Sequence, residues 1–412
     1  MQIVQRRVHM KKLLVLILTI CMLLTAMAGA AFGAEADTIK EAPDIKIVME
    51  GAITKYKNVP VSLKGSNLLP LREMLVNLGV PNDDEHIIYN SEDKSVAIKY
   101  GQTTILLKIG DTTAYVNDEP LTLNAAPVLY KNSTYIPIRF VAEALGKKVV
   151  WDGATRSVLV CDKASFESIE ELLKKSNEAS ANVKKYRIGM DIEAVSGSGA
   201  VKFGIGIKAD AAVDKAGKKM YMEMLIKMLG LELNVDSYFA DNKTYTSSPF
   251  DGAWEMKTYT DKEYEEMFES QTITNPINVR EALCAGLVLE ENAADNEIVL
   301  SGDVYLADLY ANALEQQGSI LGSDQDTIKG PKTFDTYDLR MIIDKDTYLL
   351  KSLVMKVSAV EDNNGQKVTT DITVTLSFSD YNGDFKVIVP DEVKQNAVEA
   401  ETTDGSGGKS KS

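Results

Sequence analysis

Few side chains in this sequence could carry out catalysis. Beyond residue 34 there is one histidine, His86, in the polar run PNDDEHI, and there are two cysteines, Cys161 and Cys284. A serine–histidine–aspartate triad would have to use His86, and no nucleophile-elbow sequence lies near it. A typical zinc site draws on more histidine and cysteine ligands than this set supplies. The composition therefore argues against an enzyme and predicts no catalytic residue, no metal ligand and no cofactor.

Other residues that could bind a ligand have simpler interpretations. Because Cys161 and Cys284 fall in different predicted segments, two separate buried thiols are favoured over a disulfide. The run SGSG at 196–199 lacks the helix and the basic residue of a phosphate loop, so a hairpin turn is favoured. The run DKD at 344–346 has too few oxygen ligands for a calcium loop, so a solvated turn is favoured.

Two Pro-x-Arg motifs are more informative, at Pro70-Leu71-Arg72 and Pro137-Ile138-Arg139. Proline suits the first turn of a helix, where its missing N–H costs nothing. An arginine in that turn is disfavoured by the helix dipole, so Arg72 and Arg139 each need a partner. We expect structural roles for both, in salt bridges or carbonyl contacts, with a ligand site as the alternative.

Each motif begins the same order of elements. An apolar helix is expected to end at Gly79 or Gly146, and a β-hairpin follows, in IIYNSEDKSVAIKY or VVWDGATRSVLVCD. The sequence thus predicts two superposable helix-plus-hairpin repeats, at 70–100 and 137–162. Tyr89 and Trp151 stand at matching positions, and we expect both to be packed.

The run TTAYVNDEPLTLNAAPVLYKNSTYIPIRFVAEALGKKVVWDGATRSVLV strongly resembles the copper amine oxidase N-terminal domain, a stalk-type module. The resemblance spans about 45–162. It implies an extracytoplasmic α+β module of bacterial surface and secreted proteins. Amine oxidase activity belongs to a separate catalytic domain with histidine copper ligands, so a chain with one histidine beyond residue 34 is expected to lack it.

The second half alternates helical and strand patterns. A helix is predicted from Ser165 or Ser168, and strands with clean apolar–polar alternation follow to about residue 236. Three further helices are predicted in TDKEYEEMFES, capped by Thr260, in NPINVREALCAGLV, capped by Asn275, and in DVYLADLYANALEQQG. A long hairpin closing at Asn364-Gly365 ends the pattern.

The runs LRMIIDKDTYLLKSLVMKV, TTDITVTLSFSDYN and VIVPDEV resemble domains of the LolA/LppX lipoprotein-carrier fold. This resemblance covers about 165–397. It implies a curved antiparallel half-barrel sheet wrapped around helices, able to hold acyl chains. The expected fold class is therefore α+β, with a helix-plus-hairpin repeat domain followed by this half-barrel.

The ends of the chain predict export. Residues 1–34 combine a basic start, an apolar stretch and small residues, as a signal peptide does, and a mature start between Ala31 and Asp37 is expected. A retained membrane anchor is the alternative. Cys21 follows Ile20 rather than a small residue, which argues against lipidation. The tail at 398–412 is expected to be disordered. The protein is accordingly predicted to be secreted or on the cell surface.

Charge limits the partners. The formal net charge is −15, and it becomes more negative once the basic leader is removed. Such a chain repels phosphate backbones, so no nucleic acid is expected as a partner. The expected partners are a lipid or other apolar ligand and a component of the cell wall or envelope.

The apolar stripes of the second half suggest where an apolar ligand would bind. Methionine side chains suit an adaptable wall because they repack at little cost, although a plain filled core is the alternative interpretation. The predicted ligand-binding residues are Met190, Ile192, Phe203, Ile205, Met222, Met224, Leu233, Val235, Met355, Val357, Val374 and Leu376.

Two classes of function follow. The first is a non-enzymatic binding protein that holds a lipid in a LolA-like half-barrel, with a stalk module for envelope association. The second is a structural or interaction protein of the bacterial envelope without a small-molecule ligand. A cavity discriminates between them, because a binding protein needs an apolar space and a structural domain should be filled.

Overall fold

The computed structural model describes residues 38–272, 277–291, 293–306, 334–363 and 365–400. The predicted signal peptide, the Asn275 cap, nearly all of the third interior helix, Asn364 and the tail beyond residue 400 lie outside these residues. The chain forms two compact units. The described residues of the first unit are 38–175, 277–306 without 292, and 334–340, and those of the second are 176–272 and 341–400 without 364.

The described part of the chain contains six helices. They are α1 Leu71–Asn77, α2 Ile138–Ala144, α3 Lys163–Ala181, α4 Asp261–Gln271, α5 Glu281–Gly286 and α6 Asp391–Asn396. The division between the units falls inside α3, after Lys175.

The strands of the first unit are short. They are β1 Lys40–Glu41, β2 Lys46–Met49, β3 Ala52–Ile53, β4 Val61–Leu63, β5 Ser66–Pro70, β6 Ile87–Asn90, β7 Ser95–Tyr100, β8 Thr103–Lys108, β9 Thr113–Val116, β10 Glu119–Thr122, β11 Val128–Tyr130, β12 Ser133–Pro137, β13 Lys147–Asp152, β14 Ser157–Asp162, β21 Val288–Leu289 and β22 Glu297–Gly302. Three sheets have the orders β1-β4-β5-β12-β11, β10-β9-β8-β7-β6 and β13-β14-β2-β3. In addition, β21 pairs with β22.

The strands of the second unit are longer. They are β15 Lys185–Ser198, β16 Val201–Asp214, β17 Lys219–Met228, β18 Leu231–Ala240, β19 Lys243–Ser247, β20 Trp254–Thr258, β24 Leu350–Asn363, β25 Gln366–Ser379 and β26 Val398–Glu399. Their order is β24-β25-β15-β16-β17-β18-β19-β20-β26. Strand β23, Thr336–Asp344, crosses the division between the units.

Both Pro-x-Arg motifs begin helices, as predicted. Pro70 and Pro137 precede α1 and α2, and each helix buries its first, fourth and fifth residues. Gly79 and Gly146 follow with positive φ of 89° and 80°, as helix-ending glycines do. Hairpins β6–β7 and β13–β14 come next. The order of elements is therefore the same in the two copies, and their superposition stays a prediction.

The prediction that Tyr89 and Trp151 are packed is wrong. The two side chains are 49% and 42% exposed. Trp151 lies near the end of β13, which has a single neighbour, β14, in its sheet. The buried positions of β13 are Val149, Val150 and Asp152, so an aromatic residue on a strand was a poor indicator of the core.

The helix predictions outside the repeats have mixed outcomes. Thr260 caps α4 as predicted, and it forms a capping box with Glu263. Helix α3 begins at Lys163, before both of the serines expected to start it. Helix α5 is short, Glu281–Gly286, because the chain turns into strand β21 at Val288.

Residues 277–306 are built into the first unit. The Asp303 carboxylate accepts a hydrogen bond from the Ile53 N–H at 2.6 Å, and the Asp303 N–H donates to the Gly51 carbonyl at 2.7 Å. Lys148 Nζ lies 2.9 Å from the Glu281 carboxylate. Helix α5 packs on β13 and β14. The first unit thus combines the N-terminal module with a segment much later in the chain.

Candidate ligand-binding face

The long hairpins of the second unit place the predicted apolar residues together. Directly paired residues of antiparallel strands project to the same face of a sheet. One row across the sheet consists of Met355, Val374, Ile192, Ile207, Ile226 and Leu233. The next row consists of Leu353, Leu376, Met190, Ala209, Met224 and Val235.

Two further rows and a pair complete the same face. One row consists of Val357, Ile372, Ala194, Ile205, Met228 and Leu231, and another of Phe378, Ile188, Ala211, Met222 and Ser237. Phe203 pairs with Ser196 beyond them. All twelve predicted ligand-binding residues therefore lie on one face, which we call the apolar face. Their role in binding a ligand stays a prediction.

The opposite face is polar. Lys208 Nζ lies 2.8 Å from the Asp191 carboxylate, and the two residues are direct partners on β16 and β15. Tyr221 stacks on Tyr238 with ring centroids 4.5 Å apart. Burial and, after it, the Glu223 carboxylate raise the pKa of Asp236 on the same side. The two faces thus differ in chemistry at these positions of strands β15 to β18.

Exposure changes along the apolar face. The β24–β25 part is closed, since Met355, Val357 and Leu376 are 1–3% exposed. Ile192, Ile205 and Met222 are only half-buried. At the ends of hairpins β15–β16 and β17–β18, the exposed fractions of Phe203 and Leu231 reach 52% and 56%.

Sequence reasoning missed several members of the apolar face. Ile188, Ile207, Ile226 and Met228 belong to the rows but not to the predicted set. Their signal was the same alternation that identified their neighbours. Choosing among residues of one stripe requires the register between strands, which local patterns do not contain.

The two arginines of the Pro-x-Arg motifs are exposed rather than buried. Arg72 Nη1 donates to the Asn82 side-chain carbonyl at 2.8 Å. Arg139 Nε lies 3.9 Å from the Glu143 carboxylate, one helical turn away. Such solvent-exposed contacts stabilise a fold weakly. A structural role for either arginine therefore stays a prediction.

Cys161 and Cys284 are free and buried, as predicted. Burial, followed by the Glu50 carboxylate, raises the pKa of the Cys161 thiol to about 12. Burial likewise raises the pKa of the Cys284 thiol to about 11. Neither group has the lowered pKa that a nucleophilic cysteine needs.

Comparison with known families divides the sequence at nearly the positions that the resemblances predict. The copper amine oxidase N-terminal domain matches residues 48–160. The family of unknown function DUF6612 matches residues 168–398, which is more than half of the chain, and the chain belongs to this family. The match to copper amine oxidase covers the N-terminal domain alone, which is not the catalytic domain.

Solved structures similar to this chain include two mycobacterial proteins. LprF from Mycobacterium bovis is 12% identical, with 54% of this chain and 97% of that chain covered, at a TM-score of 0.31. The lipoprotein LppX from Mycobacterium tuberculosis is 11% identical, with 54% and 99% covered, at a TM-score of 0.29. No curated protein matches the chain.

Two absences among the described residues bear on the site. None of the helices in this part of the chain has the length and apolar character needed to cross a membrane. Nor does this part contain a group of three or more histidine, cysteine, aspartate or glutamate side chains placed to hold a metal ion.

Proposed function

We propose that this protein is a non-enzymatic, extracytoplasmic protein that binds the acyl chain of a lipid, or a similar apolar molecule, on the apolar face of its second unit. The observation that carries the proposal is the register, which aligns apolar residues of six neighbouring strands on one face. The signal-like pattern of residues 1–34 supports the export part of the proposal.

The dimensions of the apolar face suit an acyl chain. Neighbouring strands lie about 4.8 Å apart, so a row across six strands spans roughly 24 Å, comparable with an extended acyl chain. Each methylene transferred from water contributes about 0.8 kcal/mol. An ordinary acyl chain could therefore bind without a specific hydrogen bond.

The pattern of exposure indicates how a ligand would reach the apolar face. Its half-buried residues, such as Ile205, lie among buried ones such as Met224 and Leu233, and its exposed residues are at the ends of hairpins β15–β16 and β17–β18. Phe203 and Leu231 at these ends would be the first side chains to contact an incoming lipid. Contiguous exposed apolar patches often mark a binding site.

A structural or interaction role without a small-molecule ligand is the second candidate. It is favoured by the closed part of the apolar face, where Met355 and Val357 are 1% and 3% exposed. If the remaining residues were equally closed, the face would be an ordinary core. Residues 45–162 would in either case serve as the stalk for envelope association.

Uptake of a fluorescent fatty acid tests the proposal. Ile205→Glu places a carboxylate on the apolar face and should reduce uptake by at least about tenfold, because burying that charge beside an acyl chain is unfavourable. Leu225→Glu is the matched control, since Leu225 is also half-buried but pairs with Lys208 on the polar face. It should leave uptake nearly unchanged.

Circular dichroism checks that both variants keep the fold. If the unmodified protein takes up no fatty acid and no lipid copurifies from its own host, the binding proposal fails and the structural candidate replaces it. Equal uptake by both folded glutamate variants would show that the ligand lies elsewhere.

A further inference from the structure

The first unit contains a cleft, lined by polar and apolar residues alike, that has no part in the proposed lipid binding. Its volume is about 790 Å³, within the range of small-ligand sites. Four segments form its walls: the loop at 54–58, the exposed side of α1, the β11–β12 hairpin and the β6–β7 hairpin. None of these segments belongs to the second unit.

Positive charge is concentrated in this cleft. Lys55, Lys57 and Arg72 line it, and all three side chains are exposed. None of them forms an ion pair with a residue that the structure describes, whereas many other basic residues are paired, among them Lys147 and Lys208. In a chain of net charge −15, three unpaired cations around one cleft favour an anionic ligand.

The one carboxylate of the cleft is engaged in holding its wall. Glu73 accepts hydrogen bonds from the Lys57 N–H at 2.6 Å and from Asn58 Nδ2 at 2.5 Å. These bonds fix the loop that carries Lys55 and Lys57 against α1. Asn82 accepts from Arg72 Nη1 at 2.8 Å and so orients the guanidinium group. The other N–H groups of the Arg72 guanidinium make no hydrogen bond within the described part of the chain.

Several neutral groups of the cleft suit a sugar. Tyr89 presents a ring that is 49% exposed, above the buried Ile87. Side-chain amides and hydroxyls line the same cleft at Asn77, Asn132 and Ser133. An aromatic ring can pack against the C–H face of a sugar, while amides and hydroxyls bind its hydroxyl groups.

We propose that this cleft binds an acidic saccharide, a sugar chain that carries carboxylate or phosphate groups. A sugar ring would pack on Tyr89, and its acidic group would pair with Arg72 and Lys57. Arginine binds both carboxylate and phosphate with two parallel hydrogen bonds, so the two anions share one chemistry. Such polymers occur in envelopes, and the site would give the first unit a direct contact with one of them.

Titration calorimetry of the full-length protein tests the site. The probes are oligogalacturonate for carboxylate and glycerol-phosphate teichoic acid for phosphate, with a neutral dextran oligosaccharide as reference. At least one acidic probe should bind, and the reference should bind at least about tenfold more weakly. Affinity should fall as salt is raised, because exposed charges are screened. The probe that binds identifies the anion.

Variants locate the binding. Arg72→Ala should weaken binding of the acidic saccharide about tenfold. Tyr89→Ala should also weaken it about tenfold, because the sugar ring loses its packing surface. Arg139→Ala is the matched control, because Arg139 follows the second Pro-x-Arg proline, is exposed and lies outside the cleft. It should leave affinity within about twofold of the unmodified protein.

Three results would overturn the proposal. The first is no binding of either acidic probe by folded protein. The second is equal weakening by Arg72→Ala and Arg139→Ala, which would indicate diffuse attraction. The third is binding of a single-stranded oligonucleotide as tight as that of the saccharides, which would indicate a general polyanion site. Fatty-acid uptake by the same samples is measured separately, so failure here leaves the lipid proposal standing.

Discussion

Trp151 shows how a single residue can mislead a sequence-based prediction. A large aromatic residue on a strand favours a core position, for which truncation costs about 3–5 kcal/mol. In the structure Trp151 is 42% exposed, and its partner across the hairpin, Val158, supplies the buried position instead. The residue type alone did not predict burial, because Trp151 lies near the end of β13.

Trp151→Ala should therefore lower the free energy of unfolding by about 2 kcal/mol, less than for a fully buried aromatic residue, because part of the ring already contacts water. Leu159→Ala on the neighbouring strand is the control, since Leu159 is 1% exposed and its loss should cost about 2–5 kcal/mol. Urea denaturation measures both. A cost above about 3 kcal/mol for Trp151→Ala would contradict this interpretation.

Because the two thiols are buried, we expect the stability of the fold to decrease at alkaline pH. The folded pKa values of Cys161 and Cys284, about 12 and about 11, lie above the ordinary value of 9.0. The unfolded thiols therefore ionise first as pH rises. Their contribution is complete below about pH 9 and is lost progressively up to the folded pKa, about 11 for Cys284 and about 12 for Cys161, by at most about 1.4 kcal/mol per thiol and pH unit.

Comparison with the Cys161→Ala/Cys284→Ala double variant isolates this effect, because tyrosines and lysines also titrate in that range. Urea denaturation at pH 8 and pH 10.5 should show a larger loss of stability for the unmodified protein than for the variant. Equal losses would mean that the folded thiols ionise as readily as unfolded ones.

At the scale of elements, the packing of β22 against α5 depends on the absence of a side chain at Gly286 and Gly302. A Cβ added to Gly302 would overlap the carbonyl oxygen of Gly286 and come within 3.2 Å of the Gly51 carbonyl oxygen. The contacts are with backbone, which cannot rotate away as a side chain can. The backbones of β22, α5 and the N-terminal module therefore lie in direct contact at this point.

Gly302→Ala should consequently destabilise the protein by more than about 2 kcal/mol, as overpacking of a tight contact does. Gly153→Ala is the control in the same unit, because a Cβ there would lie 3.5 Å from Trp151 Nε1, an ordinary contact. Its effect should stay within about 0.5 kcal/mol. Thermal denaturation compares the two, and similar melting temperatures would show that β22 can shift away from α5 without loss.

The elements also show what sequence could and could not predict. Alternation of apolar and polar residues identified the strands of the second unit and one shared face, since a period of two fixes the side of each residue. It could not choose Met190 over Ile188, because both belong to the same stripe. The sequence singled out Arg72 in the cleft of the first unit but could not show which other residues join it there. The cleft residues, such as Lys57 and Tyr89, come from separate segments that meet only in the folded chain.

At the scale of the whole molecule, the two family matches and the two compact units do not follow the same boundaries. Residues 168–398 match one family, yet 277–306 and 334–340 belong to the first unit. The phenol of Tyr337 donates to the Thr155 carbonyl at 3.4 Å, and Asp303 binds the backbone of 51–53. Sequence patterns alone predict consecutive domains. When a later segment packs on an earlier module, the sequence of the earlier module carries no sign of it.

The N-terminal module should therefore be incomplete by itself. In a fragment of residues 38–162, the buried side chains Val150, Leu159 and Cys161 would lose the cover of α5, which packs on β13 and β14. Exposed apolar surface of this kind lowers stability by about 25 cal/mol per Å². We expect the fragment to melt well below the first unit of the full-length protein and to bind a hydrophobic dye. A peptide of residues 277–306 added to the fragment should raise its melting temperature, whereas the same peptide with Gly302→Ala should not. A fragment that melts as the intact protein does, without dye binding, would show that residues 38–162 fold independently and that the later segment only rests against them.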